Sequence, residues 1–509
     1  HVRLIKLAKG EDALDLDQEF IECSRGLLSW PRTLGHDEEI QRPELLAIIE
    51  KIQASNESTT LILGAPGSGK SALLAALGSV CLSSGFSVLG IKADRLGRGI
   101  DSAVALRKHL HLTLETRDAV KHLALQRPVV ILIDQLDAVS ELVDRHSDRL
   151  NVLLDLIQSL SGHPGVHIVA SSRAFECHHD IRLNSIDADR MNLTLPSWDE
   201  ISPILTRAGY DGGVIGDSTR DLLRSPLCLK VFLDVGNSCA IFSTLQSLLE
   251  ALWSKKVLVG EDARDRVKLL ESVANKMSKD EVLWVPSSVG DRWPQALQGL
   301  VQEDILNRGP NELTIGFRHQ TYYDYTLARA FAKGALSLTK YVKERQNGLF
   351  VRPVLLNGLQ HLRVTDSSEY QRQLKQLLAK GIRLHIHSLL IEFLAGQRKP
   401  TEEEFSLILP RLKSGKEGPR ILAAIAGSPG WFARMSTTST FHAWMCRPHD
   451  EAMHLLDVLC QASQFDLDGV LNLIERYWLP RKSHDDLSLR VFSYISDWNM
   501  RAVNLVRSY

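Results

Sequence analysis

The stretch TTLILGAPGSGKSALLAALGSV, residues 59–80, decides the fold. It begins as a β-rich apolar run, passes through a loop with glycines at 64, 67 and 69, and continues as an apolar helical segment. From Gly64 to Ser71 the loop matches the pattern GxxxxGK[ST] at every position. Glycines let successive backbone N–H groups turn toward phosphate oxygens, and the positive end of the following helix adds to that attraction. The stretch therefore predicts a phosphate-binding loop between a buried strand and a helix.

Lys70 is predicted to bridge the β- and γ-phosphates of a nucleotide, and the Ser71 hydroxyl to ligate Mg²⁺. A glycine-rich turn can match this pattern by chance, but the preceding strand and the following helix are the context that the motif requires. The predicted cofactors are therefore ATP or ADP with Mg²⁺. The residues predicted to contact the nucleotide here are Gly64, Pro66, Gly67, Ser68, Gly69, Lys70 and Ser71.

Short β-rich runs alternate with helical stretches between residues 36 and 210, which is typical of a parallel sheet covered by helices. The middle runs are apolar almost throughout, as in strands that are buried on both faces. The predicted fold class is an α/β P-loop NTPase domain, with helices that include Ser71–Val80 and Arg149–Leu160. The predicted strands are TTLILG (59–64), FSVLGIK (86–92), PVVILID (128–134), VHIVAS (166–171) and MNLTLP (191–196).

Two of these runs end in polar side chains that could act on a bound nucleotide. Asp134 stands at the carboxyl end of a buried strand, where the Mg²⁺ of a nucleotide would lie. A lone Asp there is more commonly a turn residue, but the phosphate-binding loop upstream favours the metal partner. The run VHIVAS leads into Arg173, whose forked guanidinium suits phosphate oxygens, although a surface arginine that begins a loop is an equal alternative.

These parts together resemble the STAND class of P-loop NTPases, closest to its NACHT-like and antiviral (AVAST-type) members, over about residues 40–335. Members typically have a small residue after the first acid and a second acid three positions on. This chain has Asp134 and Asp137 at that spacing, with Gln135 in place of the small residue. The resemblance implies that Asp137 orients or activates water and that Arg173 completes the family's Ser-Arg pair. Many members carry Glu where this chain has Ala138, which implies slow hydrolysis.

The resemblance extends to two elements downstream of the sheet. In the family, a proline in a small helical bundle packs near the base and sugar, and Pro226 in LLRSPL (222–227) is similar. A winged helix carries Phe-x-His followed by an aromatic residue and an acid, which resembles FRHQTYYDY (317–325). The resemblance implies that His319 contacts a nucleotide phosphate, whereas a histidine on its own is more often a core or surface residue.

The chain is predicted to have five parts. The strand signal fades after Pro196, one alternating strand follows at 313–317, and short helical segments separated by turn residues fill the last third. The predicted parts are an N-terminal linker from a missing upstream region (1–35), the nucleotide-binding domain (36–210), a small helical domain (211–255), a winged helix (256–345) and an α-helical HEAT-like, sensor-side array (346–509).

Composition limits the class of protein. The chain has 60 Lys+Arg against 61 Asp+Glu, which gives no support to a polyanion-coating protein. Seven scattered cysteines without a CxxC pair indicate reduced thiols in the cytoplasm.

The uncharged stretch from Ser71 to Ile91 is interrupted by SSG at 83–85, so it predicts a helix and a strand rather than a membrane span. In Glu176-Cys177-His178-His179-Asp180 adjacent side chains diverge, so no metal site is predicted.

The function predicted from these observations is an ATP-dependent switch with slow, regulatory hydrolysis. It would be a closed monomer that forms a homo-oligomeric ring or tetramer when the helical array binds a protein trigger, for example a viral one. The effector would lie upstream of residue 1, because the chain starts at His and ends within a helical pattern, and nucleic acid would be contacted only through that effector.

Two alternatives remain open. One is a DNA-handling AAA+ ATPase of the origin-recognition type, although residues 255–345 hold only 15 Lys+Arg against 12 Asp+Glu. The other is a nucleotide-free scaffold, against which the intact Lys70 and Asp134 argue.

Overall fold

The structure is a computed structural model that describes most of the chain. The described residues are 11–34, 39–97, 99–139, 148–174, 177, 180–236, 242, 244–280, 282–309, 313–334, 336–346, 351–379, 381–397, 399–413, 417–496 and 498–507. The strands are β1 (Ser58–Leu63), β2 (Ser87–Lys92), β3 (Val129–Asp134), β4 (Val166–Ser172), β5 (Asp189–Asn192), β6 (Val285–Pro286), β7 (Leu306–Arg308) and β8 (Thr314–Phe317).

Helices make up most of the remaining described chain. Those of the first two thirds are α1 (Glu11–Leu28), α2 (Pro43–Ala54), α3 (Lys70–Ser83), α4 (Ala103–His109), α5 (Thr116–Ala124), α6 (Arg149–Leu160), α7 (Ile181–Asn184), α8 (Trp198–Arg207), α9 (Asp217–Leu223), α10 (Pro226–Val235), α11 (Leu245–Lys256), α12 (Ala263–Asp280), α13 (Pro294–Gln302) and α14 (Gln320–Ala332). Those that follow are α15 (Leu338–Glu344), α16 (Val351–Thr365), α17 (Ser367–Leu377), α18 (Leu384–Ala395), α19 (Glu402–Leu412), α20 (Gly418–Ile425), α21 (Pro429–Met435), α22 (Ser439–Met445), α23 (His449–Ala452), α24 (Leu456–Ala462), α25 (Leu467–Leu473), α26 (Asp485–Ser493) and α27 (Met500–Arg507).

The first five strands form one parallel sheet in the order β2-β3-β4-β1-β5. Strands β2, β3 and β4 are buried along their whole length, which explains their nearly continuous apolar sequences. The edge strand β5 pairs with β1 but is largely exposed. It ends at Asn192, so the strand predicted at 191–196 is displaced, because an exposed edge strand needs no apolar run. The predicted parallel sheet flanked by helices is otherwise confirmed.

Alternating side chains of the sheet build two apolar layers. On one face, β-strand residues such as Ile62 and Leu132 pack with Leu74 of α3. On the other face, Ile131 and its neighbours pack with residues of α5 and α6, among them Leu153. Because both faces are covered, the carboxyl ends of the strands are left as the edge where polar side chains can meet a ligand.

Helix α1 covers the free edge of β2. The Ser24 hydroxyl donates to the Val88 carbonyl at 3.2 Å and accepts from the Gly90 N–H at 2.6 Å. Gly90 permits this approach, since a Cβ there would lie 3.3 Å from the Ser24 Cβ. Leu16, Phe20 and Leu27 of α1 are buried. The predicted 1–35 linker is thus corrected over Glu11–Leu28, where mixed charge concealed an amphipathic helix that completes the sheet.

A second, antiparallel sheet has the order β6-β8-β7, with β6 between α12 and α13 and the other two strands after α13. Ile315, at the centre of β8, is fully buried. The alternating pattern predicted from Leu313, Ile315 and Phe317 holds only in part, because Leu313 lies before the strand and is 67% exposed. Helix α14 begins three residues after β8. This arrangement of three short strands with helices is the region interpreted as a winged helix, and that finer assignment stays a prediction.

The chain divides into two compact units, one formed by His1–Ala330 with Asn347–Val354 and the other by Phe331–Gln346 with Leu355–Tyr509. The described part of the second unit contains helices and helical turns only, as predicted for the last third. The five predicted parts are finer than this division and stay predictions. No described helix combines the length and the apolar character needed to cross a membrane.

Candidate nucleotide-binding site

The loop between β1 and α3 has the geometry that its glycines predict. Gly67 and Gly69 adopt φ angles of 77° and 94°, a region that side chains rarely enter. A Cβ on Gly64 would lie 2.8 Å from the Ser68 hydroxyl oxygen, so a larger residue there would displace this side chain. The Ser68 hydroxyl is buried and has no hydrogen-bond partner among the described residues. The loop thus curls tightly and leaves a buried hydroxyl whose hydrogen-bonding need a phosphate oxygen would satisfy.

Lys70 and the start of α10 close around this loop. The Lys70 ammonium donates to the carbonyls of Gly64 and Ala65 at 2.8 and 2.9 Å. The Leu227 N–H donates to the Gly67 carbonyl at 3.3 Å. A Cβ on Gly69 would lie 3.7 Å from Pro226 Cγ. Pro226, predicted to pack near the nucleotide, is therefore beside the phosphate-binding loop.

Asp134 is fully buried at the end of β3 and has polar contacts on both carboxylate oxygens. Oδ2 accepts from the Lys92 ammonium at 2.7 Å, and Oδ1 accepts from the Ser171 hydroxyl at 2.8 Å. Burial alone would raise the pKa of Asp134, but Lys92 and hydrogen bonds from Ser71 and Ser171 hold that pKa below its ordinary value. The carboxylate is therefore ionised, and it is joined to Ser71, the other predicted metal ligand.

Asp137 and Arg173 pair with each other. The Arg173 backbone N–H donates to Asp137 Oδ1 at 3.0 Å, and the Arg173 Nε lies 3.2 Å from Asp137 Oδ2. Strand β4 lies between β1 and β3, so Arg173 emerges between the phosphate-binding loop and Asp134. A terminal nitrogen of Arg173 also donates to the Gln320 side chain at 3.0 Å. Arg173 thus connects the parallel sheet to the first residue of α14.

His319 lies near a group of cations. Its ring packs edge-on against Trp30, with centroids 6.4 Å apart, and Trp30 in turn lies 4.4 Å from the Lys92 ammonium. Burial, together with Lys230, Arg318 and Lys92, lowers the pKa of His319 to about 4. The imidazole is therefore neutral at pH 7 and lies where positive charge would attract a phosphate.

The residues fit a nucleotide with its metal. The strained glycines, the buried Ser68 hydroxyl and Lys70 suit phosphates, while Asp134 and Ser71 are the oxygen ligands that Mg²⁺ takes together with phosphate oxygens. Within the described chain no cluster of three His, Cys, Asp or Glu side chains could hold a metal alone. Of the run 176–180, Glu176, His178 and His179 lie outside the described residues.

Sequence reasoning missed three residues of the site, namely Lys92, Trp30 and Gln320, whereas Ser171 had been noted as a polar residue at the end of its strand. Lys92 carried a usable signal, because it ends an apolar strand at the same sheet edge as Asp134. Trp30 and Gln320 lie far in sequence from the strands of the parallel sheet, so only their packing reveals them.

Residues 60–191 match the family described as ATPase family associated with various cellular activities (AAA). The match covers β1, the phosphate-binding loop, Asp134 and Arg173. The match supports a P-loop NTPase domain and ATP binding in this part of the chain. No curated protein matches the chain.

Solved structures with low overall similarity include proteins of different kinds. AMPPCP-bound DnaA from Aquifex aeolicus is 15% identical, with a TM-score of 0.31, over 68% of this chain and 94% of DnaA. A STAND protein with a tetratricopeptide repeat sensor from Pyrococcus horikoshii is 13% identical, with a TM-score of 0.37, over 95% of this chain and 78% of that one. At these TM-scores the similarities do not favour one function over another.

Proposed function

We propose that the chain is the ATP-dependent switch of a STAND-type, NACHT-like signalling protein of antiviral defence. Nucleotide bound at the phosphate-binding loop would keep the region around α14 folded against the site, and release of this region would expose a surface for homo-oligomerisation. The helical second unit would bind the protein trigger, and the effector would lie outside these 509 residues.

Each site residue has a role in this proposal. Lys70 holds the β- and γ-phosphates, and the loop glycines present backbone N–H groups to them. Ser71 and Asp134 hold Mg²⁺, which supplies charge neutralisation to the phosphates. Asp137 orients water, and Arg173 approaches the γ-phosphate. Pro226 and His319 close the site over the base and over a phosphate.

The hydrogen bond between Arg173 and Gln320 is the observation that carries the proposal. Arg173 follows a strand of the nucleotide-binding sheet, and Gln320 begins the helix after the second sheet. The donor and acceptor atoms are 3.0 Å apart, and a hydrogen bond forms only over a narrow range of distances. A change at the γ-phosphate that moved the Arg173 guanidinium would therefore break this bond. A change of the nucleotide state would thus alter a contact of α14 directly.

Nucleotide exchange tests the switch. With a fluorescent ADP analogue, we expect Gln320→Ala to release nucleotide faster than the wild type, since α14 is then held less firmly. Gln302→Ala, an exposed glutamine at the end of α13, is the matched control and should release nucleotide at the wild-type rate. Equal rates for Gln320→Ala and the wild type would show that the contact has no part in a switch.

Binding itself is tested at Lys70. Lys70→Ala should lose ATP binding in equilibrium titrations while keeping its far-ultraviolet circular dichroism, and Lys108→Ala, an exposed lysine of α4, should bind as the wild type does. Duplex DNA belongs in the same titrations. ATP-dependent DNA binding tighter than micromolar would favour the origin-recognition type of ATPase over a switch.

A further inference from the structure

Asp134, the predicted Mg²⁺ ligand, forms an ion pair with the Lys92 ammonium. The two side chains end neighbouring parallel strands in direct register, and their charged atoms lie 2.7 Å apart. Both are buried, with 3% and 0% of the side chain exposed. A buried carboxylate needs a positive partner, so Lys92 keeps Asp134 ionised without any metal.

Phosphate binding also depends on the charge of Lys92. A buried, uncompensated carboxylate next to the phosphate-binding loop would repel an incoming diphosphate, because charges interact strongly at low effective dielectric. The Lys92 ammonium cancels that charge. It also repels Mg²⁺, because a divalent cation on Asp134 would stand next to a fixed ammonium.

Asp94 is a second carboxylate with which the Lys92 ammonium can form an ion pair. Its Oδ1 lies 3.6 Å from the Lys92 nitrogen and is buried without a hydrogen-bond partner among the described residues. The Trp30 ring, 4.4 Å from the same nitrogen, stabilises the cation between the two carboxylates. Once Mg²⁺ pairs with Asp134, a small rotation of the lysine side chain would bring its ammonium closer to Asp94, so that no charge is left unpaired.

We propose that Lys92 is a built-in counter-cation of Asp134, which lets the site hold ADP without Mg²⁺ and moves toward Asp94 when Mg²⁺ arrives with ATP. Lys92 is thus a positioning residue that sets the metal dependence of nucleotide binding. The inference rests on the proposed nucleotide site and adds to it a distinction between a metal-free diphosphate state and a metal-bound triphosphate state.

The test measures ADP affinity by calorimetry in EDTA and in millimolar MgCl₂. The wild type should bind ADP about equally in both solutions. Lys92→Met should bind at least about tenfold more weakly in EDTA and recover in MgCl₂, because Mg²⁺ then replaces the missing charge. The double variant Lys92→Met/Asp134→Asn has neither charge, and in EDTA it should bind ADP more tightly than Lys92→Met does, because the repelling carboxylate is gone.

Two further variants sharpen the result. Lys51→Met removes the cation of a partly exposed pair between α2 and Asp189 of β5 and should not change the Mg²⁺ dependence. Asp94→Asn removes the second place for the ammonium, so a higher Mg²⁺ concentration should be needed for half-maximal ATP binding.

The possible outcomes separate the inference from the function on which it rests. If the wild type binds no ADP in either solution, the nucleotide site itself is wrong. If the wild type binds ADP and Lys92→Met shows the same ratio of affinities, only the inference is wrong. If Lys92→Met stays unfolded even in MgCl₂, the inference also fails, because Mg²⁺ then does not replace the ammonium.

Discussion

Gln135 holds a backbone conformation that its side chain disfavours. Its φ angle is 61°, in the left-handed region, directly after Asp134. This conformation costs a non-glycine residue about 1–2 kcal/mol, whereas glycine costs about 0.5–1 kcal/mol of chain entropy. We therefore expect Gln135→Gly to raise the free energy of unfolding in urea by about 0.5–1 kcal/mol. Gln135→Ala keeps the strain and should bring no gain. A loss of stability in Gln135→Gly would show that the glutamine side chain is needed.

His319 should make stability depend on pH. Its pKa is about 4 in the folded chain against 6.5 ordinarily, because burial and nearby cations oppose its protonation. Between these values the unfolded chain binds more protons, so the contribution of His319 to stability is complete above pH 6.5 and is lost as the pH falls toward 4. His319→Gln should lose less stability than the wild type between pH 6.5 and 4 in urea titrations. Equal losses in the two proteins would place His319 in a solvated position.

Local sequence was sufficient to predict the strand, the glycine loop and the helix that the structure has between residues 58 and 83. The order of strand, glycine loop and helix constrains the loop by itself, and Asp134 and Arg173 each end a strand that the sequence pattern identifies. Lys92 and Gln320 were not predicted. Their contacts depend on strand register and on packing between regions 147 residues apart in sequence, as for Arg173 and Gln320.

Single buried indole groups connect the helices of the second unit. The indole N–H groups of Trp431, Trp444 and Trp478 donate to the carbonyls of Leu394, Leu412 and Met445, each in or near the last turn of an earlier helix. The separations are 37, 32 and 33 residues, which explains why the sequence showed no regular repeat even though the packing recurs. The HEAT-like assignment was made from the short helical segments alone, and it stays a prediction.

Trp444 tests how much one such contact contributes. Trp444→Phe keeps an aromatic ring but leaves the Leu412 carbonyl without this donor, which costs about 1–3 kcal/mol in a buried position. Trp498→Phe, at an indole that is 46% exposed, should change the free energy of unfolding by less than about 0.5 kcal/mol. Urea unfolding measured by circular dichroism gives both values. Equal effects would mean that the Leu412 carbonyl finds water instead.

Helix α1 shows how an element escapes sequence analysis. Its charged residues interrupt the apolar pattern, so no clear helical period was visible. Ser24 hydrogen-bonds to the edge of the sheet, and Leu27 packs on one face of it. The need for α1 arises from β2, whose outer N–H and C=O groups would otherwise be exposed at an edge. That requirement belongs to the assembled sheet, so it cannot be read from residues 11–28 alone.

The two compact units of the whole chain should respond differently to nucleotide. A ligand stabilises only the unit that binds it, by about 2.7 kcal/mol when its concentration is 100 times its dissociation constant. The site lies within the unit that contains His1–Ala330. We expect two transitions in scanning calorimetry, of which ADP raises the temperature of one and leaves the other unchanged. Lys70→Ala should abolish that rise, and Trp444→Phe should lower only the transition that ADP leaves unchanged. A single transition that ADP shifts as a whole would contradict this expectation, because it would mean that the two units unfold together.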